Sequence, residues 1–576
     1  MDYRELKRLA RESSAAPAQY RLAVLGDCAT QHIAAAVQGA LYAKGVTAHV
    51  FDADYDQILA QVIDPDSELY AFKPNAVLFC LCAERLQETY AALPPEKRAT
   101  LAEDTCRRSV KLWQTASEGL PGAAVLQLNY PLLDDGVFGS FAAKLPLSFL
   151  SQERKLNCLL CEAAAAEKNV YIVDIDAVQA RAGRDAFHDD KLYYIAKMPF
   201  SLDVLPRIAE RTADVIAALT GRIRKCVVCD LDNTLWGGVI GDDGLEGIEI
   251  GELGTGHAFT DMQRWLKQLR ERGVLLAVCS KNNDETAREP FLRHPEMVLR
   301  LEDFAIFVAN WNDKAGNIRM IRDTLNIGMD SMVFLDDNPF ERAQVRSEIP
   351  EIAVPELPAD PALYLPYLRG LNLFETVSYS AEDGERTNQY RQEAARAVLQ
   401  TESGSYDEYL AGLEMRAVAA PFDEFHTPRI AQLTQRSNQF NLRTVRYTER
   451  QVFEAAADPA RITRYYLLKD KFGDYGLISV VILDKRGDGA LFISEWLMSC
   501  RVLKRGMEEF IVNDIMALAT ENGFTRVIGE YLRTPKNAMV AELYPRMGFT
   551  AGEIGQFTRE TAGFTPLKTL IGREEP

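Results

Sequence analysis

Positive charge is what this chain is short of. Lys and Arg number 65 against 83 Asp and Glu, a formal net charge of −18 over 576 residues. A general nucleic-acid binder draws its affinity from basic side chains set against phosphates, so that class is set aside. Long apolar runs are missing as well. No stretch approaches the ~20 residues that a bilayer-spanning helix needs, and Met1-Asp2-Tyr3-Arg4-Glu5-Leu6-Lys7-Arg8 has no apolar signal core. A cytoplasmic protein with no membrane partner is expected. Cysteine is sparse, ten residues in all, too few for a disulfide scaffold, and reduced thiols are expected. Two C-x-x-C pairs, Cys158/Cys161 and Cys226/Cys229, have no histidine pair beside them. They read as buried structural thiols rather than a zinc site.

What is present is ordinary globular composition, 47% hydrophobic and 26% charged. At roughly 100–200 residues per domain, the length predicts three domains. In the first 220 residues, apolar runs at Arg21–Cys28, Ala76–Cys82, Ala123–Asn129 and Val170–Asp174 alternate with helical patterns such as Glu84–Leu93 and Ser148–Glu167. That alternation predicts a parallel sheet covered on both faces.

The stretch Val227-Val228-Cys229-Asp230-Leu231-Asp232-Asn233-Thr234-Leu235-Trp236 organises the rest. An apolar strand that stops at two aspartates aims carboxylates into the loop at its carboxyl end, where open α/β sheets bind ligands. Converging carboxylates invite a cation, and Mg²⁺ takes oxygen ligands while sharing its shell with phosphates. Val274–Asn282 is a second apolar run, ending in Ser280 and Asn282; Lys314 follows; Val333–Asn338 is a third, ending in Asp336 and Asp337. One acidic pair alone is common in solvated turns. Four segments in this order are not. Gly237–Gly244 is acidic and glycine-rich without the lysine of a P-loop, so a flexible flap is expected there. Phe259–Arg272 has helical apolar spacing, ended by Gly273.

These four segments resemble the haloacid-dehalogenase (HAD) phosphotransferase superfamily. The resemblance implies an HAD-like Rossmannoid domain, at 221–365. It implies Asp230 as nucleophile forming an aspartyl-phosphate, and Asp232 as general acid, then base. Ser280 and Lys314 would hold phosphoryl oxygens, with Asn282 at the substrate. Mg²⁺ would be bound by the Asp230 carboxylate, the Asp232 backbone carbonyl and Asp336, with Asp337 close.

The wording is narrower still. Asp230-Leu-Asp232-Asn-Thr234-Leu-Trp236-Gly-Gly-Val-Ile-Gly, Cys-Ser280-Lys-Asn and Val-Phe-Leu-Asp336-Asp337-Asn-Pro-Phe-Glu-Arg are similar to the FkbH-like family. So are Thr434–Leu442, Phe472–Ile478, Met498–Gly506 and Thr534–Asn537. That resemblance implies loading of a glyceryl unit, from 1,3-bisphosphoglycerate, through an enzyme thioester onto the phosphopantetheine arm of an acyl carrier protein in polyketide-type biosynthesis. The last segment, 366–576, resembles a GNAT-type α+β acyltransferase. There Arg501, Lys504, Arg505 and Gly506 stand at the pyrophosphate-cradling loop, with lysine at the usual first glycine. Cys500, beside these cations, is the first choice of acyl carrier; the alternative is a buried strand cysteine. Gln435, Asn438 and Asn441 either line the acyl site or cap strand ends. The first segment, 1–220, resembles an SGNH hydrolase of three-layer α/β fold. Gly26-Asp27-Cys28 holds the nucleophile position with cysteine for serine, His188 would be its base and Asp185 the orienter, and Asn129 is a candidate amide. The same segment also reads as a docking scaffold without chemistry. Two rival readings of the whole chain stay open, a plain Mg²⁺-dependent small-molecule phosphatase and a non-catalytic scaffold that docks carrier proteins.

Overall fold

The computed structural model describes residues 1–379, 392, 396, 399, 403–437, 440–445, 447–499, 502–534, 537–552 and 555–575. Two compact units emerge. One comprises Met1–Asp303, Val308–Ile318 and Ile327–Gly384; the other comprises Phe304–Phe307, Arg319–Asn326 and Glu385–Pro576.

The first unit opens with a parallel five-stranded sheet, β1 Tyr20–Gly26, β2 Ala48–Asp52, β3 Ala76–Cys80, β4 Ala124–Leu128 and β5 Val170–Val173, ordered β2-β1-β3-β4-β5. Strand side chains alternate between faces. Leu22 and Val24 of β1, with Leu78 of β3, pack against helices Gln31–Ala43 and Leu205–Leu219. Ala23, Leu25, Val77 and Phe79 face the other way, onto helices Leu101–Gly119 and Phe149–Ala166. Both faces are therefore dry, and each buried leucine or valine contributes about 1.5–3 kcal/mol. Helix Tyr3–Ala15 lies so close to helix Gln31–Ala43 that a Cβ at Gly39 would strike the Leu6 backbone. Four of the strands match the apolar runs. Edge strand β2 escaped them, because Ala48-His49-Val50-Phe51-Asp52 is half-buried and mixed in polarity.

Three strands of the same unit, β6 Cys226–Cys229, β7 Leu275–Ser280 and β9 Met332–Leu335, belong to a second sheet with β8 Phe304–Ala309, ordered β8-β7-β6-β9. β6 pairs in parallel with both β7 and β9. The helix predicted over Phe259–Arg272 forms but starts five residues earlier, spanning Gly254–Glu271, with Gly273 at φ +96° beyond it. The glycine-rich stretch departs from the expected flap: Ile240–Gly247 is a short helix, kinked at Gly244. Cys226 and Cys229 are buried as expected. Cys158 and Cys161 are not. They lie exposed on helix Phe149–Ala166, whose buried stripe runs through Phe149, Glu153, Leu156, Leu160 and Ala164 instead.

The second unit is an eight-stranded sheet, β10 Arg416–Ala420, β11 Arg461–Asp470, β12 Gly473–Lys485, β13 Ala490–Met498, β14 Arg526–Glu530, β15 Thr550–Ala551, β16 Gln556–Glu560 and β17 Gly572–Glu574, ordered β15-β16-β14-β13-β12-β11-β10-β17. Most neighbours are antiparallel. β13 and β14 run parallel and pair only over Ala490–Phe492 and Arg526–Ile528. Further along, the 440–443 segment bonds to the strand on one side and to the chain beyond the other: Leu442 N–H donates to Trp496 O at 3.2 Å, Met498 N–H to Phe440 O at 3.0 Å, and Leu532 N–H to Leu442 O at 2.9 Å. The Arg443 guanidinium ties the same two strands, donating to Ser494 O at 2.8 Å and Glu530 Oε2 at 2.7 Å. No described helix is long and apolar enough to cross a membrane.

Candidate active site

The catalytic-type side chains gather at the carboxyl ends of β6, β7 and β9. Each strand there breaks into a turn that starts a helix. Asn338 caps helix Pro339–Glu348 by accepting from Phe340 N at 2.9 Å, with Pro339 pre-set for the first turn. Asn283 does the same for helix Asp284–Arg293, and Lys314 opens helix Lys314–Leu325. Asn233, at φ +51°, turns the chain after β6 and accepts from Gly238 N at 2.9 Å.

Asp230, Asp336 and Asp337 each bring a carboxylate oxygen to within 4.8 Å of the other two. The Lys314 ammonium lies between two of them, 2.8 Å from Asp230 Oδ2 and 2.5 Å from Asp336 Oδ2. Asp336 is fully buried, and Lys314 is 3% exposed. Burial lowers the lysine's proton affinity, but the two aspartates outweigh it and hold the ammonium well charged. Burial and the charge of Asp230 push the Asp336 carboxyl up to about 6, against the opposing pull of Lys314. The same two causes raise Asp337. Three carboxylates against one ammonium leave two negative charges, on an all-oxygen donor set. That fits a hard divalent ion such as Mg²⁺. Asp230, Asp336 and Asp337 would hold it.

Asp232 turns its carboxylate elsewhere. Oδ2 accepts from Asn282 Nδ2 at 2.7 Å; Oδ1 accepts from Ile240 N at 3.0 Å and from the Trp236 indole at 3.1 Å. Three donors fix it beside the cluster, the posture of a proton-transfer group rather than a side-chain ligand. Asn282, expected at the substrate, spends its amide on Asp232 and on Ser280 Oγ at 3.3 Å. Ser280 is buried at the end of β7.

Sequence reasoning did not single out the supports. The Thr234 hydroxyl pairs with Asp337, accepting from its N–H at 3.1 Å. Arg342 donates to the carbonyls of Asp336 at 2.8 Å and Asp337 at 2.6 Å, locking the turn. Both residues stand inside the motifs already quoted, so the signal was there but carried no obvious chemistry.

The first sheet does not assemble the expected thiol triad. The Cys28 thiol is buried and bonds Cys80 O at 3.6 Å. A hydrogen bond with Cys82 favours its thiolate, but burial and the nearby carboxylates of Asp27 and Glu84 win and raise its pKa. His188 is bonded to Glu84 Oε1 at 3.2 Å and to Gln179 Nε2 at 2.8 Å, not to Cys28. Asp185 is exposed, and Glu84 takes the orienting place expected of it. Asn129 caps the end of β5, bonding Asp174 at 2.8 Å and Ile175 N at 2.7 Å. Asp27, whose Oδ1 accepts from Cys82 N at 2.8 Å, is pushed up to about 7 by burial.

In the second unit, Cys500, Arg501 and Asn438 and the side chain of Gln435 lie outside the described residues. Asn441 is a turn cap, not an acyl-site wall: Oδ1 accepts from Arg443 N at 3.2 Å and Thr444 N at 2.5 Å. The loop expected to cradle pyrophosphate is met by the protein's own groups. Lys504 N donates to Glu508 Oε1 at 3.3 Å, Arg505 turns to the Tyr475 hydroxyl, and Gly506 O accepts from Thr569 at 2.9 Å. A buried carboxylate, Glu508, sits where a phosphate would need positive charge.

The buried aspartate–lysine cluster at a parallel sheet's carboxyl edge, with an oriented second aspartate, defines a phosphatase-like enzyme site in a multi-domain α/β protein. The family described as "FkbH, N-terminal domain" matches residues 21–217. The crystallised N-terminal part of protein BF1531 from Bacteroides fragilis, which contains a phosphatase domain and was solved in complex with Mg, is 44% identical; the match covers 66% of this chain and 100% of that one, with a TM-score of 0.63. The chain belongs to the FkbH-like family. A comparison with curated proteins finds no match. The GNAT domain of S. lividans PAT is 17% identical over 25% of this chain and 89% of its own, at a TM-score of 0.20. The ribosomal-protein-S18-alanine N-acetyltransferase of Escherichia coli is 11% identical over 26% of this chain and 96% of its own, also at 0.20. Likenesses that slight carry no assignment.

Proposed function

We propose that this chain is a Mg²⁺-dependent phosphatase-like enzyme that moves a glyceryl unit from 1,3-bisphosphoglycerate to the phosphopantetheine thiol of an acyl carrier protein. The Asp230–Lys314–Asp336–Asp337 cluster, with Asp232 held beside it, carries the phosphatase half of this reading. Membership of the FkbH-like family supports the glyceryl half.

An enzyme thiol, Cys500 first and Cys28 second, attacks the acyl-phosphate carbonyl. The C–S bond forms, the C–O bond breaks, phosphate leaves and the thiol proton passes to solvent. The remaining phosphate ester enters the Asp230 site. An Asp230 oxygen attacks phosphorus, the P–O bond to the glyceryl oxygen breaks, and Asp232 gives that oxygen a proton. Ser280 and Lys314 hold the phosphoryl oxygens. Asp232 then takes a proton from the water that releases phosphate from Asp230. Mg²⁺, when bound, supplies the charge that lets two anions meet. The carrier thiol finally attacks the thioester and the enzyme thiol regains a proton, an exchange near balance in energy that asks chiefly for positioning. In this scheme residues 1–220, 221–365 and 366–576 serve as scaffold, phosphatase and GNAT-like acyl-transfer domains.

Intact-protein mass spectrometry after incubation with the bisphosphoglycerate and Mg²⁺, with phosphate assayed alongside, tests it. A glyceryl adduct lost in Cys500→Ala supports the scheme; an adduct lost only in Cys28→Ala moves the thiol to the first sheet. The burial and raised pKa of Cys28 favour a second reading, a phosphatase without a protein thioester. Phosphate release with no adduct on any thiol would establish it.

A further inference from the structure

The first unit holds a large cavity far from the phosphatase-like cluster. It measures about 1010 Å³ and lies among the ends of helices Gln31–Ala43 and Asp176–Ala182, the outer face of helix Leu205–Leu219, the 222–224 linker, Asp330 and the 366–375 segment. Its walls are rich in arginine: Arg181, Arg207, Arg211, Arg222 and Arg224. With Lys44 the wall has six basic side chains against five acidic ones, in a chain that has 65 against 83.

The cavity's acids act on these guanidiniums only at a distance, as Asp214 and Asp330 do on Arg224. Asp214 is taken by Lys44 at 2.6 Å and by Asn372 at 2.9 Å. Glu210 faces the N-terminal ammonium at 3.9 Å, and Glu375 accepts from Asn372 at 2.8 Å. Among the described residues, Arg207, Arg211, Arg222 and Arg224 form no ion pair. Asp330 and Glu351 are the other acids of the wall, fewer than the four arginines. The Arg224 Nε is buried with no hydrogen-bond partner. A desolvated guanidinium donor left unpaired carries a cost that an anionic ligand would remove. Ile223, Tyr367, Leu371 and Leu373 add apolar wall.

We propose that this cavity binds an organic phosphoanhydride of nucleoside-diphosphate size. Planar guanidiniums match phosphate oxygens two at a time, and the volume sits at the upper end of small-molecule pockets. The apolar wall suits the organic part. The site is separate from the Asp230 cluster. Arg224 precedes β6 and Asp230 follows it, so they stand at opposite ends of that strand, six residues apart in the chain and on the order of 20 Å at full extension.

Equilibrium dialysis of the full chain in EDTA, with labelled ADP and with labelled pyrophosphate, tests the assignment. One saturable site is expected, weakened at least tenfold in Arg222→Gln/Arg224→Gln and unchanged in Asp230→Asn. Pyrophosphate binding without ADP would keep the anion site and overturn the organic part. Binding that survives the arginine changes but fails in Asp230→Asn would place the anion in the phosphatase-like cluster and overturn the proposal, as would no saturable binding at all. Thermal unfolding checks that the double variant is folded. If it is not, Arg207→Gln/Arg211→Gln, changes on one helix face, serve with the same expected loss.

Discussion

Lys314→Met removes the ammonium that the structure places between Asp230 and Asp336, 2.8 and 2.5 Å from their oxygens. The side chain is almost fully buried, so water cannot take its place. Breaking a buried pair by removing one partner costs about 3–5 kcal/mol, because the other charge stays behind unpaired. Here two carboxylates stay behind, with Asp337 close by, so the upper part of that range is expected in chelator at pH 8. Two further ions can stand in for the ammonium. A proton can: burial and the charge of Asp230 already push the Asp336 carboxyl up with Lys314 present, and loss of the lysine raises it further. A carboxyl whose folded pKa lies above its unfolded value stabilises below the unfolded pKa and loses that contribution as pH rises through the folded one. The destabilisation must therefore be smaller at pH 5.5 than at pH 8. A divalent ion can too, so Mg²⁺ should stabilise the variant more than the parent. Urea unfolding followed by tryptophan fluorescence reads all of this, since Trp236 is buried and bonded to Asp232 within the site. A variant as stable as the parent at pH 8 in EDTA, or one equally destabilised at both pH values, would refute the electrostatic account.

Three further expectations follow from the same geometry. Asp232→Asn keeps the side chain's shape, with the Asn282 amide free to turn and accept from the new NH2, but not the transferable proton, so phosphate release should fall about 10²–10⁴-fold with substrate affinity little changed; a fall below tenfold in steady-state assays would remove Asp232 from proton transfer. Arg342→Ala frees the Asp336 and Asp337 carbonyls, and calorimetric Mg²⁺ affinity should drop about 10–100-fold, the usual effect of losing a ligand's support; unchanged affinity counts against a positioning role. Asp27, pushed up to about 7, stabilises the fold at acid pH and ceases to as pH rises through 7, so Asp27→Asn should gain on the parent between pH 5 and pH 8. The gain over that range is at most about 3 kcal/mol, two pH units at ~1.4 kcal/mol each, and urea midpoints that move in parallel across it would show that Asp27 does not titrate there.

The phosphatase-like centre was legible because its acids and Ser280 sit where apolar runs stop; only Lys314, which opens a helix, had to be found by its order in the chain. β6, β7 and β9 are fully buried, so their sequences announce both the strand and its end. Half-buried β2 gives no such signal. Contacts across sequence distance were illegible for another reason. Nothing in Asp185-Ala186-Phe187-His188 says that the imidazole meets Glu84, 104 positions earlier, because a shared residue pattern does not fix which carboxylate the fold brings near. Nor does a run of basic residues around Arg505 reveal that Tyr475 and Asp470 have already claimed its guanidinium. The exposed helix pair Cys158/Cys161 was misjudged because cysteine is usually buried, and the helix's apolar stripe happens to pass beside it.

That pair has a practical consequence. Cys28, Cys80, Cys82, Cys226, Cys229 and Cys279 are all sealed in the interior, which leaves Cys106, Cys158 and Cys161 as the described thiols open to solvent. Replacing those three with serine would silence native-state alkylation across the described residues. Any adduct that a mild electrophile then forms on the folded protein would report on Cys500 alone, turning reactivity at that one position into a background-free measurement.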